Sequence, residues 1–202
     1  MMMKRMILCS ILMMTLMTVL LGILYPLAMT GISQLLFPRQ ASGSILCING
    51  KPVGSSLIGQ SFPAERYLQG RPSAAGEKGY DGLASGGSNL GPANRHLLES
   101  VEKYRLDVEK RELKSDRSPI PTDLVCSSAS GLDPHISPAA AYLQIGRVAR
   151  ARGISVDEVR KVIDAHLEIP FLGLIGEPRV NVLMVNMALD SLPWHGILRS
   201  ER

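Results

Sequence analysis

Two short segments of the sequence carry residue types that can do chemistry. The first, residues 130–137, reads SGLDPHIS and places Asp133 two positions before His135. An aspartate and a histidine beside a serine are the components of a nucleophilic site. No nucleophile is fixed beside this pair, however, and one Asp with one His supplies too few ligands for a metal ion. Because Asp-Pro strongly favours a turn, we interpret this segment as structural, with a membrane-anchored enzyme using Asp133 and His135 as the alternative.

The second segment, residues 85–94, reads SGGSNLGPAN. Glycines that precede a helix expose backbone N–H groups, which can bind an anion. The weak candidates for such a cofactor site are Ser85, Gly86, Gly87, Ser88 and Asn89. The favoured alternative is a tight turn in which Ser88, Asn89 and Asn94 bond their own backbone.

Signatures of the common catalytic sites are missing from the sequence. The Gly-Lys pair Gly50-Lys51 is followed by Pro52, so it does not complete a phosphate-binding loop. The chain has no nucleophile elbow, no His-Glu-x-x-His zinc motif and no Asp-Lys-Thr-Gly segment of a phosphorylated pump subunit. The sequence therefore predicts no catalysis, no intrinsic cofactor and no metal. With aromatic residues at only 4% and no basic stripe, it also argues against a nucleic-acid partner.

These segments follow a long apolar run near the N-terminus. Residues 6–38 are 33 consecutive positions without Asp, Glu, Lys, Arg or His. About 20 apolar residues cross the ~30 Å hydrocarbon core of a bilayer. A cleavable signal peptide has a shorter apolar region and a small-x-small site, which this run lacks. We predict a cytoplasmic stub and transmembrane anchor helix over residues 1–38, followed by one extracytoplasmic soluble domain over residues 39–202.

Charge at the start of the chain sets the predicted orientation. Lys4 and Arg5 flank the apolar run on its N-terminal side. Positive residues favour the cytoplasmic side of a membrane, so the N-terminus is expected inside and the main domain outside. In that oxidising compartment Cys47 and Cys126 are able to pair, and the sequence leaves open whether they do.

The periodicity beyond the anchor predicts a mixed α/β domain, with α+β as a possible arrangement. We expect a short strand at 55–62, a glycine-rich loop at 70–92 and a helix that begins near Pro92. A buried strand is expected at 123–126 and a helix from Pro138 to a cap at Gly153. A capping box at Ser155 predicts a further helix. Residues 179–192 are predicted as helix, although their valines also suit a strand.

Five blocks in fixed order carry a family resemblance. They are SLIGQ at 56–60, GRPSA at 70–74, ASGGSNLGPAN at 84–94, SGLDPHISP at 130–138 and RVNVLMVNMALD at 179–190. Behind a single N-terminal span, this ordered set resembles the C subunit of the Kdp-type potassium-transporting ATPase. Residues 124–129 read LVCSSA and depart from the usual Leu-Val-Thr-Ala-Ser-Gly, which makes Cys126 an improbable part of a shared mechanism.

The resemblance implies a bacterial inner-membrane complex with other subunits. They are a channel-like subunit that selects potassium, an ATP-hydrolysing P-type subunit and a small single-span lipid-binding subunit. The implied role is a non-catalytic one in assembly and coupling. The family is also described as a catalytic chaperone that raises ATP affinity. A domain outside the membrane cannot reach cytoplasmic ATP, so ATP is expected only within the complex.

Several residues are predicted as partner contacts or structural motifs under this interpretation. They are Asn94, Asp133, His135, Gln144 and Arg147. Gln144 and Arg147 lie one helical turn apart and are expected on an exposed face. Gly87 and Gly91 are expected to be the least replaceable positions, as glycines with positive φ.

Overall fold

The structure is a computed structural model that describes residues 2–48, 50–112, 119–170, 173 and 175–192. The chain divides into two compact units, Met1–Val53 and Gly54–Arg202. The first contains a long apolar helix and the second contains helices and a small sheet. The predicted order, one N-terminal apolar helix before a compact domain of mixed helix and sheet, is confirmed.

The N-terminal helix runs from Met2 to Leu36 as α1 (Met2–Val19), a π-helical turn (Leu20–Leu24) and α2 (Tyr25–Leu36). Its 35 residues make it about 50 Å long at ~1.5 Å per residue. None of its residues is buried within the chain. In the described part of the chain it is the one helix long and apolar enough to cross a membrane.

The π-helical turn has a cause in the sequence. Pro26 has no N–H, so the hydrogen bond that an α-helix would form to the Gly22 carbonyl is missing. Just before it, the Tyr25 N–H donates to the carbonyl of Leu20, five residues back. Transmembrane helices tolerate proline because such local adjustments pair the remaining backbone groups.

The first unit continues with the one-turn helix α3 (Pro38–Ala41) and strand β1 (Ile45–Ile48). Strand β1 forms a two-stranded sheet with β2 (Lys51–Ser55). The strand predicted at 55–62 is therefore wrong except at its first residue. The following residues form turns, and the Gly59 N–H donates to the Leu132 carbonyl (2.7 Å) instead of to a strand neighbour.

A three-stranded antiparallel sheet lies in the second unit. Its strands are β3 (His135–Ile136), β4 (Leu167–Glu168) and β5 (Arg179–Asn181), in the order β3-β5-β4. Val180 is the register partner of both Ile136 and Leu167. Directly paired residues share one face of a sheet, so these three side chains present one apolar face. All three belong to the core or pack against it.

The described part of the second unit contains five α-helices. They are α4 (Arg95–Arg111), α5 (Pro138–Leu143), α6 (Ile145–Arg152), α7 (Val156–Ala165) and α8 (Val182–Ser191). The helices after the sheet's first strand supply most of the core, through Ala140, Val148, Val159, Ile163, Val185 and Leu189. Helix α4 has no fully buried residue and lies at the surface.

Local capping signals in the sequence are confirmed. Ser137 caps α5 by accepting from the Ala140 N–H, and Gly153 ends α6 in the left-handed conformation at φ 67°. Ser155 and Glu158 form the predicted reciprocal capping box of α7. Because each signal involves residues within four positions, sequence alone is sufficient to detect it.

Two predicted elements need correction. The strand expected at 123–126 is a 3-10 turn, Thr122–Leu124, because the Asp123 carboxylate accepts from Ser137 (backbone N–H at 2.6 Å, hydroxyl at 3.2 Å). Residues 179–192 contain β5 as well as the predicted helix, since Asn181 caps α8 at the point where the strand ends. The loop at 70–92 has no helix or strand, as expected, and α4 starts at Arg95 rather than near Pro92.

Candidate functional site

The turn at residues 130–137, here called the Asp-Pro turn, is the meeting point of three loops. Gly131 has a φ of 66°, and a Cβ built on it would lie 2.6 Å from the Gly86 carbonyl oxygen. A Cβ on Gly59 would lie 2.6 Å from the Asp133 carbonyl oxygen. The Gly86 N–H also donates to the Ser130 carbonyl (2.9 Å). Glycine is required here because the backbones of these loops touch.

The glycine-rich loop at 85–91 differs from its prediction. Gly87 does not have positive φ; it is constrained because a Cβ would lie 2.9 Å from the Ala129 carbonyl oxygen. Gly91 has neither positive φ nor a neighbour within 4 Å, so the expectation for it is wrong. The residue with positive φ is Asn89, at 52°. Asparagine tolerates that region better than most side chains do.

The same loop commits some of its donors to the Asp-Pro turn. Ser85 donates its hydroxyl to the Ser130 carbonyl (3.0 Å), the acceptor that Gly86 also uses. Ser88 and Asn89 are exposed. Asn94 is the N-cap of α4, and its Oδ1 accepts from the His96 N–H (2.9 Å). A cofactor at Ser85 to Asn89 stays a prediction, while Asn94 has a structural partner.

A row of ionisable side chains crosses one end of the sheet. The Arg71 guanidinium lies 3.2 Å from Asp133. The His135 imidazole lies between two carboxylates, with Nδ1 3.5 Å from Asp133 and Nε2 3.8 Å from Glu168. Glu168 in turn pairs with Arg179 (2.8 Å), its register partner in the sheet. The five side chains tie the Asp-Pro turn to strands β4 and β5.

This arrangement differs from a catalytic triad. The Asp133 carboxylate accepts from the His135 backbone N–H (3.0 Å), as in an Asx turn. Contact with the His135 side chain lowers the pKa of Asp133, assisted by that N–H and by the Arg71 charge, against partial burial. Ser137 directs its hydroxyl to Asp123 and to the cap of α5. The serine nearest in sequence is thus engaged elsewhere.

Arg71 was not singled out by sequence reasoning, although it belongs to the GRPSA block. Besides Asp133, its guanidinium approaches the carbonyls of Cys126 and Ser127 (both 3.4 Å). Its own carbonyl accepts from the Tyr80 hydroxyl (2.6 Å). Burial, with a smaller contribution from Tyr104, raises the pKa of Tyr80 to about 12. Tyr80 therefore remains a neutral donor at physiological pH.

Residues 65–71, here called the strap, pass beside α6 and α8 without a strand neighbour. Gln144 pairs with both backbone groups of Gln69, accepting from its N–H (2.8 Å) and donating to its carbonyl (3.1 Å). Asn186 does the same for Leu68, at 2.8 and 2.9 Å. Leu68 is completely buried. The two side-chain amides take the place of a neighbouring strand.

Two buried arginines complete the binding of the strap. Arg147 donates to the carbonyls of Glu65 and Tyr67, and Arg152 donates to the carbonyl of Arg66 (2.7 Å). Arg147 also forms an ion pair with Glu112 (2.7 Å). Such arginines offer several donors in a planar fork, which suits consecutive carbonyls.

The positions of Gln144 and Arg147 correct one assumption. They were expected on an exposed face, but they are 2% and 3% exposed and bind this chain's own backbone. A glutamine and an arginine one turn apart look the same in sequence whether solvated or buried. The observation that distinguishes the two cases is that the strap backbone has no neighbouring strand and needs side-chain partners, which only the structure reveals.

Among the described residues, no group of three or more His, Cys, Asp or Glu side chains is placed to hold a metal ion. Cys47 and Cys126 are free thiols.

The comparisons with known proteins agree with one another on a single family. A family profile described as "K+-transporting ATPase, c chain" matches residues 7–191. A potassium-transporting ATPase KdpC subunit of Polaromonas naphthalenivorans is 55% identical over 175 residues, covering 87% of this chain and 89% of that protein. The KdpC subunit of Methylibium petroleiphilum is 51% identical over 188 residues, covering 93% and 98%. That of Caldanaerobacter subterraneus is 53% identical over 171 residues, covering 85% and 87%.

The contact at Gly131 gives a first testable prediction. Gly131→Ala is expected to lower the free energy of unfolding by about 1–3 kcal/mol, because alanine is strained at positive φ and meets the Gly86 carbonyl. Urea titration of the detergent-purified chain, followed by circular dichroism, measures the change. Gly86→Ala is the control, since a Cβ there meets nothing within 4 Å. Equal stability of the two variants would contradict the close packing of these loops.

The lowered pKa of Asp133 gives a second prediction, on pH dependence. A carboxylate with a lowered folded-state pKa stabilises the fold above the ordinary aspartate pKa, and this contribution disappears as pH falls through the folded-state pKa. Asp133→Asn should therefore cost on the order of 1 kcal/mol at pH 7. The difference from wild type should shrink towards zero in acid.

Urea titrations of both proteins from pH 7 down to about pH 2 test this dependence, because the folded-state pKa of Asp133 lies below the ordinary aspartate value. Glu99→Gln is the control, because Glu99 is an exposed partner of His96 and should change stability little at any pH. If the loss of unfolding free energy in Asp133→Asn stays constant across the pH range, a role for the charge of Asp133 is ruled out.

Proposed function

We propose a function from the premise that this chain belongs to the KdpC family, the c chains of K+-transporting ATPases. On that premise, it acts as an accessory subunit of an ATP-driven high-affinity potassium uptake complex. Its work is assembly and coupling rather than catalysis. The observation that carries this proposal is the match over residues 7–191, which includes both the apolar helix and the domain.

The geometry of the Asp-Pro turn supports a non-catalytic role. Asp133 and His135 are the residues an enzyme would use, yet their contacts are with Arg71, Glu168 and the backbone of the turn. An activated serine needs its hydroxyl within hydrogen-bond reach of an imidazole. Ser137 instead caps a helix. The anchored enzyme that uses Asp133 and His135 is the less favoured candidate.

The apolar helix supports a place in the membrane part of the complex. None of its residues is buried within the chain, so lipid and neighbouring subunits are the surfaces available to cover them. We propose that it spans the inner membrane once and packs on the channel-like, potassium-selecting subunit. An ATP-hydrolysing P-type subunit and a small single-span subunit complete the set of partners.

Orientation follows from the basic flank. Lys4 and Arg5 are the basic residues that precede the apolar run, which favours a cytoplasmic N-terminus and a periplasmic domain. In that arrangement the domain lies near the outer potassium entrance. The catalytic-chaperone effect on ATP affinity would then reach the hydrolysing subunit through the complex, without a nucleotide bound to this chain.

Co-purification tests the proposed assembly role. The tagged chain, isolated from membranes of potassium-starved cells, should carry the two large pump subunits with it. His135→Ala should reduce their recovery several-fold, because the link between the turn and β4 is lost, while His96→Ala, at an exposed position, should not. Failure of the wild-type chain to recover either large subunit would refute the proposal. Full recovery with His135→Ala but loss of a hydrolytic activity would favour the enzyme.

Reporter fusions test the orientation. Alkaline phosphatase fused after Arg202 should be active and green fluorescent protein at the same site should be dark, because phosphatase folds in the periplasm and the fluorescent protein does not. Fusions at the N-terminus serve as the matched control and should give the reverse pattern. A fluorescent and phosphatase-negative C-terminus would place the domain in the cytoplasm.

A further inference from the structure

Residues 20–26 of the apolar helix, here called the interrupted turn, leave one backbone carbonyl without a helical donor. A helix carbonyl accepts from the N–H four residues further on, or five in a π-helical turn. For Leu21 these are the N–H positions of Tyr25 and Pro26. The Tyr25 N–H donates to Leu20 instead, and proline has no N–H. A bond from three residues on belongs to the tighter 3-10 helix, whereas this turn is widened.

The depth of the Leu21 carbonyl in the membrane excludes the usual ways of pairing it. The run without charged residues or histidine covers residues 6–38, and Leu21 lies close to its middle. If the hydrocarbon core begins instead at the start of the run, ~20 residues reach Tyr25, which still keeps Leu21 inside the core. Acyl chains carry no hydrogen-bond donor, and an unpaired backbone group in hydrocarbon is strongly unfavourable. The carbonyl therefore needs a donor from outside the lipid.

The helix supplies side-chain donors to its own carbonyls elsewhere. Ser10 and Thr15 each donate a hydroxyl to the carbonyl four residues back, at 2.9 Å in both cases. The residue at the corresponding position for Leu21 is Tyr25. Its hydroxyl lies beyond a rigid ring, so it does not form this short backward bond. The donor for the Leu21 carbonyl must therefore come from another molecule.

The surface around this carbonyl allows a second helix to come close. Thr18, Gly22 and Tyr25 are three or four residues apart, so they lie on one face together with the Leu21 carbonyl. A Cβ built on Gly22 would meet Thr18 Cγ2 at 3.9 Å. Small residues at this spacing let the backbones of two membrane helices approach closely, and hydroxyl and amide side chains then form hydrogen bonds between the helices.

We propose that a transmembrane helix of another pump subunit packs against the interrupted turn and donates a hydrogen bond from a hydroxyl or amide side chain to the Leu21 carbonyl. The proposal rests on the proposed function, which supplies the neighbouring membrane subunits. A lone water molecule is a poorer partner, because its other donor and lone pairs would stay unpaired in hydrocarbon. A charged side chain is also poorer, because the run from 6 to 38 carries no opposite charge.

A matched pair of substitutions at position 25 tests this hydrogen bond. A threonine in a helix donates its hydroxyl to the carbonyl four residues back, as Thr15 does here. Tyr25→Thr therefore pairs the Leu21 carbonyl from within the chain, whereas Tyr25→Val has the same shape and leaves it free. Both variants lose the same aromatic ring, so the difference between them isolates the hydrogen bond. Circular dichroism in detergent checks that both chains fold.

The measurement is the Kd of the detergent-purified full chain for the complex purified without it. Tyr25→Thr should bind about 3- to 10-fold more weakly than Tyr25→Val, as for the loss of one hydrogen bond between membrane helices. Equal affinity of these two variants overturns the proposal. If the wild-type chain itself does not bind the complex, the proposed function fails instead.

The control is the same pair of side chains on the opposite face of the helix. Leu12 is exposed and lies nine residues before Leu21, which is two and a half turns at ~3.6 residues per turn. It belongs to the regular helix α1, where the carbonyl four residues back has its α-helical donor. Leu12→Thr and Leu12→Val should therefore agree in Kd to within about twofold.

An infrared label on the carbonyl gives a second readout. Residues 1–46 can be synthesised with an isotope-labelled carbonyl at Leu21 and ligated to the rest of the chain at the native Cys47. The labelled amide I band should move to lower frequency when the chain joins the complex, because the carbonyl gains a donor. The same label at Leu12 should not move. An unchanged Leu21 band in the assembled complex would contradict the proposal.

Cross-linking identifies the donor. Photoleucine at position 21 of the same semisynthetic chain should cross-link to a transmembrane peptide of a pump subunit that contains a hydroxyl or amide side chain. Replacing that side chain by an apolar one of similar size should weaken the binding of Tyr25→Val and have little further effect on Tyr25→Thr, since both changes remove the same bond. Cross-links confined to lipid, or fully additive effects, would exclude a side-chain donor.

Discussion

Backbone N–H and C=O groups that folding removes from water must be paired, and the strap has no neighbouring strand to pair with them. Side chains supply the hydrogen-bond partners instead. Gln144 and Asn186 each bind both backbone groups of one strap residue, and Arg147 and Arg152 bind the carbonyls that precede them. An unpaired group there would cost ~1–3 kcal/mol. The second unit depends on these contacts because they join α6 and α8 to the long irregular stretch before α4.

The strap also positions the loops that carry the family blocks. It ends at Arg71, whose guanidinium reaches Asp133 and whose carbonyl holds Tyr80. The Asp-Pro turn then meets the backbones of the other loops at Gly131 and Gly59. Four of the five blocks thus converge on one place, and the fifth supplies the central strand β5 beside them. Together they join segments that have almost no regular structure through backbone contacts and polar side chains.

The features that could be predicted from the sequence are those whose interacting residues lie close together along the chain. Gly153 and the Ser155 capping box were predictable because their partners lie within four residues. The apolar helix was predictable from composition alone. The partners of the strap lie 75 to 118 residues away, as for Gln69 with Gln144 and Leu68 with Asn186, and no local pattern reports them. Gly87 shows the same limit, since its constraint comes from Ala129 and not from its own φ.

The contrast between these satisfied groups and Glu112 bears on how the chain works in a complex. Side chains supply partners for the carbonyls of residues 65–69 and for the N–H groups of Leu68 and Gln69. Glu112 belongs to the same network through Arg147, yet one of its oxygens has no partner in the described part of the chain. Because its partner Arg147 also binds the carbonyls of Glu65 and Tyr67, the Glu112 carboxylate is coupled directly to the contacts that hold the strap.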